Sequence, residues 1–228
     1  MPVAPASRRD RLRVQTLAEI RAHAWAQVDE SGAHALSSNA IAKAMGMSGP
    51  AIYRYFDSRG ALLAALVLEA YGDLTAALED AAAANARKAP ARRLDAVCAA
   101  YRAWALAHPR RYAMLFDQRP DDALDSAEAI VTIHRGMVVL LELLGELAAS
   151  SPAPARAGRP DKLDQQLLAW ARERAMPGDL PAHVLRAGVL TWSQLHGTVS
   201  LELAGPFAAM GLDAGLLIEA GVAQLTRV

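Results

Sequence analysis

Apolar positions recur along this chain at helical intervals, and Gly, Pro and Ser cut the pattern into segments. Val14, Leu17, Ala18, Trp25 and Val28 keep that spacing and predict a first helix from about Ser7 to Glu30, stopped by Ser31-Gly32. Ser37 or Ser38 can cap a short helix over Asn39 to Met45 that ends at Gly46. Ser48 can cap another, ending near Phe56, with Pro50 in the first turn where a missing N–H costs nothing. Asp57 or Ser58 caps a long helix from Arg59 to about Arg87, with Leu62, Leu63, Leu66, Tyr71, Leu74 and Leu78 on its buried side.

Further helices are expected at about 91–107, 109–116, 123–149, 161–175, 181–204 and 213–226. His108-Pro109, Pro120, Pro177-Gly178, Gly205-Pro206 and the Pro/Ala/Gly-rich segment from Ser150 to Pro160 separate them, the last reading as a mobile loop. No stretch alternates apolar and polar residues long enough to predict a strand, and there is no internal repeat. Composition strengthens the pattern: 51 of the 228 residues are Ala, the best helix former, so the fold class is all-α. At 53% apolar and 21% charged, the chain is neither disordered nor collagenous, and its length allows one or two domains with a buried core.

Cys98 is the only cysteine, so an intrachain disulfide and a Cys-based zinc site are excluded, and a reducing cytoplasm fits best. The N-terminal residues lack the apolar core of a signal peptide. The greasiest stretch, Ile130 to Leu147, contains His134, Arg135, Glu142 and Glu146 and would span a membrane poorly. A cytoplasmic protein with no membrane partner is the expectation. Net charge is zero, which by itself argues against a polyanion binder, but the charges are segregated. The first 60 residues hold eight Lys/Arg against five acids, +3, and the remainder holds 16 against 19, −3.

The basic head contains the most informative run, Leu36 to Phe56. Two short helices meet at Gly46, with small Ala42 where they cross and Ile41, Met45, Met47, Ile52 and Phe56 as the internal apolar set. That spacing fits a helix-turn-helix whose second helix enters the DNA major groove, with an ordinary αα-hairpin in a bundle core as the alternative. Tyr53, Arg54 and Tyr55 crowd the second helix, and Ser58-Arg59 opens the next where phosphates could bind. Arg8, Arg9, Arg11 and Arg13 start the first helix, either as a DNA contact or as a solvated charge run.

Ile41-Ala42-Lys43-Ala44-Met45-Gly46-Met47-Ser48 and Ile52-Tyr53-Arg54-Tyr55-Phe56-Asp57-Ser58-Arg59-Gly60-Ala61-Leu62 resemble the helix-turn-helix and following helix of the TetR/AcrR family of bacterial transcriptional regulators, over about residues 10–65. Trp192-Ser193-Gln194-Leu195-His196-Gly197, with Gly205 and Phe207 beyond it, is similar to the subgroup named for its Trp-His-Gly signature, as is His108 to Phe116. The resemblance implies a homodimer. Residues 1–60 would form a three-helix DNA-binding domain, and 61–228 a helical domain that binds a small effector and dimerises. It implies double-stranded operator DNA as partner and most often repression released by the effector; a helix-turn-helix dimer without ligand control is the alternative. Ser48, Tyr53 and Arg54 would read bases, and Ser38, Tyr55 and Arg59 would contact phosphates. Gly49 and Pro50 stand where many relatives carry hydrogen-bonding side chains, which shifts discrimination toward Arg54, thymine methyls and DNA shape.

In the body, Leu185, Trp192, Leu195, Val199 and Leu203 fall near one side of the 181–204 helix, with Gly188 and Gly197 permitting close approach. Joined by Leu216, Leu217, Ala220 and Leu225 of the last helix, they could form a four-helix dimer interface or cover their own subunit's core. Trp104, His108, Tyr112, His134, Trp170, Trp192 and His196 carry polar handles among apolar neighbours, suiting either an effector site or core and capping roles. The six histidines form no metal-ligand spacing and no Gly-rich phosphate loop is present, so no metal, cofactor or catalytic residue is expected.

Overall fold

The computed structural model describes residues 7–116, 127–150, 160–174, 176 and 179–225. Among these there are eleven α-helices and no strand. They are α1 (Arg8–Ser31), α2 (Ser38–Ala44), α3 (Gly49–Ile52), α4 (Arg59–Ala84), α5 (Pro90–Ala107), α6 (Pro109–Phe116), α7 (Ala127–Ser150), α8 (Lys162–Glu173), α9 (Ala182–Ala204), α10 (Pro206–Met210) and α11 (Ala214–Leu225). Local chemistry sets most of the boundaries. Ser7 and Asp10 form a reciprocal capping box at α1, Asp161 and Asp164 do the same at α8, and prolines open α5, α6 and α10. Residues 123–126, the 151–159 segment, Pro120 and Pro177-Gly178 lie outside the described residues. Two elements were not anticipated, a 3₁₀ turn at Ala33–Ala35 and the short α10.

The helices gather into two compact units. One runs to Ala70 and takes back the segment from Arg110; the other comprises Tyr71–Pro109 and the chain from Ala127. The resemblance implies a boundary at residue 60, whereas the first compact unit runs on to Ala70. The reason is burial. Leu62, Leu66 and Val67 in the first turns of α4 are fully buried with Ile20, Ala24 and Val28 of α1, and the Trp25 indole donates to Glu69 at 2.8 Å. Each such buried aliphatic side chain contributes about 2 kcal/mol. By length and composition α4 could cross a bilayer, yet 56% of its most apolar window is buried inside the fold.

In the second unit α9 lies at the centre, touching α5, α7, α8, α10 and α11. Leu94, Val97, Cys98, Tyr101, Trp104 and Ala105 recur at three- and four-residue steps along α5 and are buried. Gly188 lets α7 approach α9, since a Cβ there would stand 2.4 Å from Leu141 Cδ2. Arg186 clips α8 to α9 through Asp161 at 2.6 Å and Asp164 at 2.7 Å. The Asp161 carboxylate is held below its ordinary range, first by the Asp164 backbone N–H and then by Arg186.

The helical stripe offered for a dimer interface is used within the subunit. Leu185, Leu195 and Val199 are buried there, while Trp192 and Leu203 are half-buried. The large apolar residues of α9 that are exposed are instead Leu190 and Leu201, at 61% and 46%. Helix periodicity marks a stripe but does not say which of several neighbours covers it, and α9 is surrounded by them.

Burial lifts the Cys98 thiol from its ordinary 9.0 to about 12, with the Asp95 charge as a lesser cause. A raised thiol pKa favours the folded state fully below pH 9, and that contribution is lost as pH rises from 9 toward 12. Native protein at pH 8 should therefore resist a disulfide-exchange reagent and release one thiol equivalent only when unfolded; rapid labelling of the native chain would contradict the burial.

Candidate nucleic-acid interface

The turn between α2 and α3 is built from backbone bonds. Gly46 adopts φ +65°, which an L side chain tolerates poorly, and this lets the Met47 N–H reach back to the Ala42 carbonyl at 2.8 Å while the Gly46 N–H bonds Lys43. The orphan carbonyls of α2 are thereby satisfied and the chain turns directly into α3. At the other end of α2, the Ser37 hydroxyl accepts the Ala40 N–H at 3.2 Å, and Gln27 of α1 accepts the Ser37 N–H at 2.8 Å. Ser37 is thus the cap, and Ser38 is buried at 8% exposure beside Ile41 and Ala42. Ser38, expected at a phosphate, keeps only that small exposure beside the core of the head.

Helix α3 is shorter than its sequence suggested. It closes at Ile52, and Arg54 and Tyr55 donate to carbonyls three residues back in a tighter winding before Phe56 returns to the Ile52 carbonyl. Ile52, 1% exposed, pins the helix to the core. Ser48, Pro50, Tyr53 and Arg54 are exposed, and Gly49 and Tyr55 are half-buried. The Ser48 hydroxyl makes no capping bond to α3 and stays on the surface. The side chains expected to read bases, Ser48, Tyr53 and Arg54, are therefore all exposed.

Arg59, expected at a phosphate, is exposed and also bonds the backbone of the head. Its Nε donates to the Leu36 carbonyl at 2.8 Å and its Nη2 to the Ala33 and His34 carbonyls at 2.9 and 3.2 Å. It braces the 3₁₀ turn that leads into α2. Sequence reasoning missed this because the acceptors belong to a turn it did not anticipate. It also passed over a junction of α1, α4 and α6. Arg111 makes two bonds to Asp29, at 2.9 and 2.6 Å, with its guanidinium 4.3 Å from the Trp25 ring centre, while Glu69 takes the Trp25 N–H and pairs with Arg21 at 3.0 Å. Trp25 and Glu69 lie 44 residues apart, and Arg111 and Asp29 lie 82 apart, beyond any local spacing rule.

The head and the body each match a known family. Residues 20–66 match the family described as bacterial regulatory proteins, tetR family, and residues 94–225 match the tetracyclin repressor-like C-terminal domain. This chain belongs to the TetR family of transcriptional regulators. HTH-type transcriptional regulators Rv1816 of Mycobacterium tuberculosis (strain ATCC 25618 / H37Rv) and Mb1846 of Mycobacterium bovis are each 28% identical over 210 residues, covering 89% of this chain and 87% of theirs. The crystal structure of a candidate regulatory protein, SCO4313, is 37% identical with a TM-score of 0.75, covering 97% of this chain and 100% of that one. The TetR-family regulator PfmR from Thermus thermophilus, 19% identical with a TM-score of 0.53 and covering 92% of this chain and 96% of its own, shares the fold.

Six of the seven aromatic and histidine candidates lie in the body of this TetR-family chain, where their ring contacts are pairwise. Trp192 and His196 stack with ring centres 5.4 Å apart, and His196 Nδ1 lies 3.3 Å from the Tyr101 hydroxyl. His134 lies 6.1 Å from Trp170 and bonds the Ile130 carbonyl through Nδ1 at 2.6 Å, one turn back on its own helix. Trp104 is buried with His108 5.5 Å away at the end of α5. Tyr112 belongs to the head unit, buried beside Phe116.

The Arg59 geometry gives a direct test. Charged hydrogen bonds of this kind are worth about 1.5–3 kcal/mol. Arg59→Ala is expected to lower unfolding free energy by about 2 kcal/mol in a urea titration; a variant as stable as wild type would return Arg59 to a surface role.

Proposed function

We propose that this regulator is a cytoplasmic repressor that binds a palindromic operator as a homodimer and leaves it when a small molecule occupies the body. Support for the DNA-facing half of this reading comes chiefly from α3, which is anchored by Ile52 while Ser48, Pro50, Tyr53 and Arg54 remain exposed beside it. Ser48 and Arg54 bring hydrogen-bonding groups to base edges, Pro50 and Tyr53 bring apolar contact, and Tyr55 reaches the backbone. Gly49 keeps the start of α3 slim. The protein acts by binding and needs no catalytic group, metal or cofactor.

Support for the homodimer comes from a surface that one chain leaves uncovered. Leu190, Gly197 and Leu201 share a face of α9, and no atom comes within 4 Å of a Cβ built at Gly197. Leu216 of α11 is 63% exposed. Two copies related by a two-fold axis bury these side chains and set the separation of the heads to the half-site spacing. The effector is mainly apolar with a hydrogen-bonding group, received by the Trp192–His196–Tyr101 cluster or by His134 and Trp170. Helix α4 belongs to the head at its start and to the body at its end, so a ligand that favours one position of α4 resets head separation.

Footprinting on the promoter beside the protein's own gene tests the core of this reading; specific palindromic protection is expected, and none anywhere would refute it. Arg54→Ala should flatten sequence preference by roughly 1–3 kcal/mol at the base it contacts, measured by competition between operator variants. An unchanged binding motif would remove Arg54 from base reading.

For the dimer, Leu190→Arg with Leu201→Arg is expected to sediment as a folded monomer and to lose operator affinity at least tenfold, because the two heads no longer bind together. A double variant that still sediments as a dimer would move the interface elsewhere.

A further inference from the structure

The arginine cluster at the start of α1 is open in sequence between a solvated charge run and a DNA contact, and its setting in the head separates the two. Arg13 Nη1 lies 3.4 Å from the Arg54 carbonyl oxygen, and its guanidinium sits 5.3 Å from the Tyr55 ring centre. The beginning of α1 is thereby held against the far end of the α3 segment. Between them lies an open groove with about 570 Å³ of space, lined by Arg8, Arg9, Asp10, Leu12 and Arg13 on one side and Arg54 and Tyr55 on the other.

Helix physics gives Arg8 and Arg9 no structural purpose. The N-terminal end of a helix carries partial positive charge, so two arginines in the first turn of α1 oppose its dipole. They also repel one another. Asp10, the acid of that turn, is folded back on Ser7, accepting its backbone N–H at 3.1 Å and its hydroxyl at 2.6 Å. Both arginines are exposed, so burial offers no compensation. A local rule broken on an open surface marks a place where a partner supplies the missing negative charge.

The groove's position, taken with the reading of this head as a DNA reader, identifies that partner. Four residues of α3 rise only about 6 Å, within a major groove about 12 Å wide. A reading helix in that groove has a phosphate backbone on either side, and the arginine groove opens at the end of α3. We propose that Arg8 and Arg9 bind the backbone phosphates flanking the half-site that α3 reads, with Arg13 as the positioning residue that seats α1 beside Arg54. The DNA footprint then extends beyond the helix-turn-helix, and affinity depends on base pairs outside the palindrome regardless of their sequence.

The test uses full-length protein and an operator selected from random duplexes. Fluorescence anisotropy is measured on two labelled duplexes, one carrying about ten flanking base pairs on each side and one trimmed to the palindrome. R8A/R9A is expected to bind the long duplex more weakly and to lower the slope of log affinity against log salt by about 0.9 for each phosphate left unneutralised, with R8K/R9K retaining the slope. On the trimmed duplex, wild type and R8A/R9A should bind alike, and the melting temperature of R8A/R9A should equal or exceed that of wild type. Unchanged affinity and slope on the long duplex would overturn the proposal while leaving the regulator reading intact. A lowered melting temperature with equal losses on both duplexes would mark the arginines as structural and also overturn it. Failure of wild type to enrich any sequence would overturn this proposal and the regulator reading together.

Discussion

A helix of four residues cannot hold itself, because nucleating a helical turn fixes several dihedrals for a single hydrogen bond. The conformation of α3 is therefore imposed from outside, and much of the head serves that constraint. Gly46 delivers the chain into α3 through two backbone bonds, and Ile52 pins its inner side. Arg13 holds the carbonyl of Arg54 just past its end. Arg59 fixes the 33–36 turn from which α2 departs, and Gln27 fixes the residue that caps α2. Each support comes from a different part of the chain, so α3 has a definite orientation only in the folded head.

Around that assembly, α1, α4 and α6 are joined by a chain of charged and aromatic contacts: Arg111 between Asp29 and Trp25, and Glu69 between Trp25 and Arg21. Exposed ion pairs contribute little singly, but bidentate and cation–π geometry fixes direction as well as distance. The body follows another logic. There α9 is packed on several sides, and Gly188 leaves room for Leu141 of α7. Its large apolar residues are consumed internally, leaving Leu190 and Leu201 for the outside.

Helix positions were legible to within a few residues wherever caps and prolines act locally. Ser7, Asp161, Pro90, Pro109 and Gly205 start or stop their helices through bonds or steric limits spanning four residues or fewer. The surface around α3 was legible for a similar reason, since Ser48, Tyr53 and Arg54 lie within seven consecutive positions. What escaped depended on distant partners. The 3₁₀ turn at Ala33–Ala35 rests on Arg59, and the opening turns of α4 join the head through Leu62, Leu66 and Glu69. The side chains of Ser38 and Arg59 carry the right chemistry for phosphate, but tertiary packing left one with little exposure and bound the other to carbonyls.

By itself the sequence determined that this chain is helical, where most of its helices begin, and that a basic helix-turn-helix head precedes an acidic body. Those features follow from propensity, capping and charge order, which act over short distances. Tertiary structure alone decided which apolar stripe of α9 is core and which faces outward, and which arginines brace the head. It also decided that the charge cluster of α1 lies beside Arg54, 41 residues from Arg13, because proximity across that separation exists only after the intervening chain has packed.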